Sequence, residues 1–570
     1  MKISKLFPFA CVALMMSACA SDKEEIGSGT KPGSDPQYLA VNIVNVGATP
    51  TTRTTDYENG TAGESAIKKV RFYFFNGDGS PYLIKTGIDG GGDKNWLEAS
   101  PADDTPTSGT PSQIEKITQT VLVINGIQSA APAAIVAIVN PETVDAATLK
   151  NGGTMRLSEL RYSAVGRNFY KKDADNGAVS EFVMSNSVYV NAGEDVCASL
   201  VAGHVTTSAE TAKAKPVDLY VERVVAKVTA DVKNSAFELG NGTNWETNKY
   251  GTKDPVGKSG DYDVYAVIEG WGLANENGKA EVEKQVNKTW TDGTLGFTPW
   301  TTADYHRCFW ETSVAFDAGT GGNQPVNPTF NQLKAKMQDV LYTLPNTPES
   351  KDKIANLKDN DLTKFAVAAT LRYKDAAGNW HNAEICRYNG VSILGIDNLK
   401  RQVALTFSQY YTSTDATNYT QLSKDDIDFK NPDGTMQQYR VTPTLADAPA
   451  GTKYYTKSTT GTTPTFKEVP KAKVLAAIES DKAEIRRDGR AYYYVPIKHI
   501  GGTGGLAEYG IVRNHFYKIT LTGIKGFGTP VYDPDKVVDP IVPTYENTYL
   551  AARVQVLQWR VVNQNASLGD

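Results

Sequence analysis

The chain has 570 residues and a formal net charge of −5, so it presents no broad basic field to a nucleic acid. Its length allows two to four ordinary domains. Five cysteines are too few to staple a chain of this size, so the fold must rest on buried cores; 29 tyrosines, 49 glycines and 27 prolines suit strands joined by turns.

The chain opens with Lys2 and Lys5, then an apolar run from Leu6 to Ala18 that ends in the small residues Ser17 and Ala18 before Cys19. A positive start, an apolar middle and small residues before a cysteine make a lipoprotein signal, residues 1–19, in which Cys19 becomes the first residue and carries acyl chains. The run is too short to span a bilayer. An ordinary secretory signal with an incidental cysteine is the alternative. Ser21–Glu25 (SDKEE) is similar to the acidic tag that sends Bacteroidetes lipoproteins to the outer face of the outer membrane.

A polar tether rich in Gly, Pro and Ser follows. Tyr38–Val46 (YLAVNIVNV) then predicts a strand, with Leu39, Val41 and Ile43 on one face and Ala40, Val44 and Val46 on the other. A second loose linker, Gly47–Asn59, holds Arg53, the only basic residue between Lys31 and Lys68.

Val70, Phe72 and Phe74 alternate before the turn Asn76–Gly79, as in a hairpin. Val121–Asn125 and Ala134–Asn140 fit buried strands, and Glu181–Met184 and Val188–Val190 predict two more. Tyr220–Val232 (YVERVVAKVTADV) predicts one long strand, and Asp263–Gly270 continues the pattern. Residues from about 60 to 270 therefore predict a β-sandwich. Trp290, Trp300, Phe309 and Trp310 cluster in a loop-rich stretch. Phe330–Leu344 predicts a helix with Leu333, Met337, Val340 and Leu341 on one face. Strands resume at Phe365–Tyr373 and Val403–Phe407, a short helix is expected over Gln421–Phe429, and a small hairpin lies within 446–470. Ala491–Ile497, His515–Leu521 and the long Tyr549–Val562 complete a mostly β chain with a few surface helices.

No catalytic constellation emerges. His204, His306, His381, His499 and His515 have no zinc-ligand spacing. His515 lacks the company of a nucleophile motif, which favours a structural hydrogen bond over a catalytic base. Gly501–Gly505 lacks the Lys-Ser/Thr ending of a phosphate loop. The turns Asn76–Gly79 and Asn431–Gly434 fall short of a calcium loop. No metal or cofactor is expected, and no enzyme. Cys197, Cys308 and Cys386 allow at most one internal disulfide; whether any pair is left open.

The last residues, YLAARVQVLQWRVVNQNASLGD, begin with a strand pattern and show no turn. Leu550, Ala552, Val554 and Val556 lie on one face; Leu557, Trp559 and Val561 extend the opposite one. Chains usually end in frayed polar residues. A terminal strand this apolar needs a sheet, its own or another subunit's.

Five segments carry a resemblance: Tyr220–Val228 (YVERVVAKV), Tyr493–His499 (YYVPIKH), Glu508–Tyr517 (EYGIVRNHFY), Gly523–Val531 (GIKGFGTPV) and the terminal VQVLQWRVVNQN. In this order, behind a lipoprotein signal, they resemble the fimbrillins of Bacteroidia, most closely those of the short (Mfa-type) fimbria of the type V pilus. The resemblance implies two transthyretin-like Greek-key β-sandwich domains, mapped here to 54–275 and 276–548. It implies a lipoprotein precursor, lipidated at Cys19, that crosses the outer membrane. A trypsin-like, arginine-specific protease would cut between Arg53 and Thr54, removing residues 20–53 with the strand that carries Leu39, Val41 and Ile43. The donor region 549–570 of another copy would fill the groove. Accessory and anchor subunits would be further partners, and adhesion and biofilm formation the outcome.

The residues agree with this implication. Arg53 lies in a Thr/Pro/Gly stretch where a protease can reach extended backbone. Removing a paired strand exposes core and leaves backbone groups unpaired, which recruits another strand. Five apolar donor side chains, at ~1.5–3 kcal/mol each, contribute on the order of 7–15 kcal/mol before ordering costs. An accessory or anchor subunit is the nearest alternative; an anchor would keep its lipid and a tip would lack the apolar tail. A monomeric surface lipoprotein that binds glycans through the Trp290–Trp310 cluster is a rival of another class.

Overall fold

The computed structural model describes residues 37–45, 61, 63–84, 94–100, 116–124, 130–144, 148–150, 153–172, 174, 179–191, 194–286, 311–316, 322–347, 362–430, 440–459, 463–499, 510–538, 549–558 and 561–563. The fold is mostly β, with several sheets and four α-helices among these residues.

The first sheet uses β1 (Gln37–Asn45), β2 (Val70–Phe75), β3 (Trp96–Ala99), β4 (Lys116–Ile124), β5 (Ala134–Val139), β6 (Met184–Asn186) and β7 (Val217–Arg223), in the order β3-β2-β5-β6-β7-β1-β4. β2 and β5 are buried along their whole lengths, as continuous apolar runs such as AIVAIV require. Short ladders, loops and the helix α1 (Leu157–Arg161) cover the sheet, and Leu149, Met155, Leu160 and Phe169 complete its core.

A second core begins with β8 (Ala226–Val232). It is a sandwich. One sheet contains β8, β10 (Val340–Thr343), β16 (His515–Lys525), β17 (Tyr549–Gln558) and β18 (Val561–Asn563), in the order β10-β8-β16-β17-β18. The facing sheet is built on β9 (Tyr262–Ala274), β11 (Lys364–Lys374) and β15 (Arg490–Pro496). Val228, Tyr517 and Ile519 of the first meet Val264, Val367 and Tyr493 of the second. A third, smaller core lies around β12 (Ile385–Tyr388), β13 (Val391–Leu394), β14 (Ala483–Ile485) and the helices α3 (Ile396–Thr406) and α4 (Lys471–Glu479).

Four expectations change. Tyr220–Val232 is two strands in different sheets, broken at Val224–Val225, where this stretch hands over from the first core to the second. Phe330–Leu344 is not a helix: a 3₁₀ turn at Phe330–Gln332 leads to β10, which pairs with β8. The apolar spacing suits a helix, but an open edge on β8 offers those backbone groups a ladder, and Gln338 sits at φ 74° at the entry turn. Val403–Phe407 belongs to α3, whose Leu399, Val403 and Ala404 share one buried face at helical spacing. Gln421–Phe429 holds only a 3₁₀ turn at Lys424–Asp426, capped by Ser423, before a strand at Ile427–Lys430. The hairpin within 446–470 pairs Lys453–Ser458 with Thr465–Val469.

Gly528, from one of the segments that carry the resemblance, shows why that segment tolerates little change. Its φ is +67°, and a Cβ there would lie 2.8 Å from the Tyr493 ring and 2.9 Å from the Tyr492 carbonyl oxygen. The buried Arg486 guanidinium also donates to the Gly528 carbonyl oxygen at 2.6 Å. Gly528→Val is expected to lower stability by about 1–3 kcal/mol, measured as a drop in the urea midpoint at unchanged slope.

Candidate functional site: a strand seat and a buried charged junction

β1 is an interior strand. All nine of its residues pair antiparallel with β4, from Gln37 opposite Ile124 to Asn45 opposite Lys116. Val41–Asn45 also pair in parallel with Val217–Val221 of β7. Among the described residues β4 pairs with no other strand, so β1 alone joins it to the sheet. Leu39 and Val41 are fully buried in the first core, and Ala40, on the opposite face, is buried too. The helix α2 (Ala209–Ala214), capped by the Ser208 hydroxyl, packs against β1. Burying Leu39 and Val41 stabilises by ~1.5–3 kcal/mol each.

The linker after β1, with Arg53 and Thr54, lies outside the described residues, as does Cys19. The chain is described again from Thr61, and there it is fastened. Glu64 is fully buried and forms an ion pair with the Lys227 ammonium at 3.0 Å. The Tyr342 hydroxyl donates to it at 2.5 Å, and the Thr61 N–H donates at 2.6 Å. Burial acts to raise the Glu64 pKa, but Lys227 and these hydrogen bonds outweigh it and hold the carboxyl below its ordinary value. Arg223, at the end of β7, donates to the Glu64 carbonyl at 2.6 Å, to Ser65 Oγ at 3.1 Å and to Asn514 Oδ1 at 3.1 Å. Lys227 lies on β8 and Tyr342 on β10, so Glu64 ties the segment after the linker to the second core.

The same crossing point holds two more buried pairs. Lys284 and Glu222 meet at 2.9 Å with both side chains fully buried. Arg513 pairs with Glu311 at 3.0 Å and donates to the Val282 and Glu281 carbonyls at 2.9 and 2.8 Å. Arg513 is tolerated in the interior because its remaining guanidinium donors find carbonyl acceptors. Asn514, at φ 57°, donates its N–H to the Val225 carbonyl at 2.7 Å, pinning the loop before β16 to the hand-over.

His515 is buried, with Nδ1 bonded to the Arg513 carbonyl at 2.7 Å. His499 Nδ1 bonds the Tyr517 hydroxyl at 2.8 Å, and burial pushes its pKa well below the ordinary value. Both have structural partners, as the sequence favours for His515. Cys197 and Cys386 are buried, and burial pushes the Cys386 thiol up to about 12. Among the described residues no group of His, Cys, Asp and Glu could hold a metal, and no helix is long and apolar enough to cross a membrane. The arrangement can seat a strand and lock two cores; nothing in it activates a nucleophile.

The C-terminal residues expected to act together lie in the second core, apart from β1. Leu550, Ala552, Val554, Val556 and Leu557 stand in β17, opposite Ile524, Leu521, Ile519, Tyr517 and Phe516 of β16. Trp559 lies outside the described residues, as does the Trp290–Trp310 cluster. Val561 belongs to β18, which folds back on β17 opposite Leu557. The expectation of one unbroken terminal strand without a turn is therefore corrected: the tail is a hairpin on its own sheet. Backbone pairing along β16 drives this, because an apolar strand gains partners wherever an edge is open. Sequence reading used YVERVVAKV and EYGIVRNHFY only as patterns. Their Glu222, Arg223, Lys227 and Arg513 were the available signal for the junction, since charged residues within apolar strands are buried only when paired.

Residues 486–565 match the family model for the major fimbrial subunit protein type IV, fimbrillin, C-terminal. This stretch spans β15 to β18. A comparison with curated proteins finds no match. A solved structure of a cell-adhesion candidate from Parabacteroides distasonis aligns over 93% of this chain and 98% of its own, at 11% identity and a TM-score of 0.37. A similar candidate from Bacteroides eggerthii aligns over 95% of this chain and 100% of its own, at 10% identity and a TM-score of 0.33. The tip fimbrial protein Mfa3 from Porphyromonas gingivalis, truncated at its C-terminus, aligns over 92% of this chain and 100% of its own, at 11% identity and a TM-score of 0.29. Scores of this size carry no argument by themselves.

Glu281 and Glu283 follow β9 beside the junction. Burial raises their pKa values to about 7 and about 8, against the opposing fields of Arg513 and Arg161. Neither carboxyl oxygen of Glu283 has a hydrogen-bond partner. The ordinary value is 4.5, so the folded chain holds a proton that the unfolded chain releases. That contribution is complete below pH 4.5 and is lost as pH rises through about 8. The unfolding free energy from urea titration is expected to fall between these limits, by up to about 1.4 kcal/mol per pH unit for each such group. Glu283→Gln should flatten this slope.

Proposed function

We propose that this chain, which carries a fimbrillin C-terminal segment and is a fimbrial protein by that family, is the polymerising stalk subunit of a cell-surface fimbria. It is exported as a lipoprotein through Cys19, cut between Arg53 and Thr54, and assembled by strand exchange with other copies of itself. The supporting observation is the seat of β1. That strand is held on both sides, it is the only link between β4 and the sheet among the described residues, and it lies directly before the linker that contains Arg53. Removing it would expose Leu39 and Val41's side of the core and leave the edges of β7 and β4 unpaired, which is an acceptor for one extended chain. The donor is the C-terminal strand, Leu550 to Val561, which must leave β16 of its own chain to serve.

Glu64 has a defined part in this reading. Its bonds to Lys227, Tyr342 and Thr61 hold the new N-terminal segment while β1 departs, so the cut frees one strand and leaves the rest of the first core attached. Accessory and anchor subunits cap such a filament, and a trypsin-like protease begins its assembly.

Trypsin treatment of the purified precursor is expected to give an N-terminus at Thr54 and SDS-resistant ladders on a gel. Complete cleavage that yields only monomers would overturn strand exchange. Arg53→Ala should leave a lipidated, unpolymerised precursor, and assembly of that variant would place the cut elsewhere. Glu64→Ala removes the carboxylate that pairs with the buried Lys227 ammonium and is expected to cost the precursor about 3–5 kcal/mol in urea unfolding.

A further inference from the structure

The third core carries a charged cleft that strand exchange does not use. Its volume is about 340 Å³, and Arg387, Asn389, Gly390, Arg440, Lys482 and Glu484 line it. The floor is the ladder β13-β12-β14. Arg387 stands directly opposite Glu484 across β12 and β14. On the other side of β14, Val441 and Ala483 exchange N–H to carbonyl bonds of 2.8 and 3.0 Å. Antiparallel register then sets Arg440 opposite Glu484 and Thr442 opposite Lys482, and the Lys482 ammonium indeed donates to Thr442 Oγ1 at 2.7 Å. Lys482, directly before β14, and Glu484 within it are two residues apart along extended chain and share a face. One carboxylate thus sits between two arginines with a lysine beside it, a net surplus of positive charge on a chain whose total is −5. Arg387, Arg440 and Glu484 are half-buried, while Lys482 and the turn Asn389-Gly390 are exposed at the rim.

We propose that this cleft binds a carboxylate-bearing sugar of the sialic or uronic acid class. An arginine fork matches the two oxygens of a carboxylate. Glu484 can accept from sugar hydroxyls and the Asn389 amide can serve them in either direction. The volume lies at the lower end of small-ligand sites, the size of one substituted sugar ring. Glu484 also selects against a phosphate dianion, which would meet its charge directly, and favours a monoanion that brings hydroxyl donors. Neither the cut after Arg53 nor strand exchange enters this proposal, so its failure leaves them untouched.

Calorimetric titration of the full chain tests it. N-acetylneuraminic acid and glucuronic acid are expected to bind saturably, in roughly the millimolar range, and less well as salt rises. Neutral N-acetylmannosamine and glucose should not bind, and succinate and inorganic phosphate should bind at least about ten-fold more weakly. The double variant Arg440→Gln/Lys482→Gln should weaken sugar-acid binding at least about ten-fold with the urea midpoint unchanged. Should Arg440→Gln disturb folding, Lys482→Gln alone, at an exposed position, should still weaken binding. Equal binding of succinate or phosphate would overturn the sugar assignment. Absence of binding by either sugar acid at about 10 mM, or binding indifferent to Lys482→Gln, would overturn the site itself.

Discussion

The first core closes only while β1 is in place. Its backbone pairs with β4 along its full length and with β7 along its second half, and its side chains at Leu39, Ala40 and Val41 are buried on both faces. Along Val41–Asn45 the strand is paired on both edges, so its backbone groups there are accounted for locally. It precedes a linker rich in Thr, Pro and Gly, and among the described residues it is held by backbone pairing and by the apolar contacts of Leu39 and Val41.

The junction at Val224–Val225 is the complementary constraint. There the chain passes from one core to the other, and there Glu64, Glu222, Arg223, Lys227, Lys284, Glu311 and Arg513 are buried together. Apolar residues would fill that space at a lower desolvation cost. Charged pairs bring direction instead: Arg513 meets Glu311 through two oxygens and reaches two carbonyls, and Glu64 takes hydrogen bonds from Thr61 and Tyr342 on opposite sides of the linker and second core. The result is a fixed relation between the segment after the linker and the second core, independent of β1.

Reading the residues in chain order located the long strands, because alternation and β-branched runs report burial directly. It placed β1, β5, β11, β15 and β16 within a few residues. It failed where two periods fit the same residues. Leu333, Met337, Val340 and Leu341 suit a helix, and only the open edge of β8 decides for a strand. Val403–Phe407 suits a strand, and only the floor beneath Leu399 and Val403 decides for α3. The break at Val224–Val225 has no local signal either, since both residues are β-branched and apolar; the two sheets that compete for the flanking strands make it.

The order of parts was set by the sequence alone: an apolar run before Cys19, an apolar strand, a linker with one arginine, a β-rich body and an apolar tail. Periodicity and composition are local properties, and they suffice for that. Which strands share a sheet was decided only in three dimensions, because pairing joins residues hundreds of positions apart. So was the folding of the tail into a hairpin on β16, and so was the partnership of Glu64 with Lys227 and of Arg513 with Glu311. A charge in an apolar strand announces that it has a partner. Its identity depends on which surfaces the fold brings together.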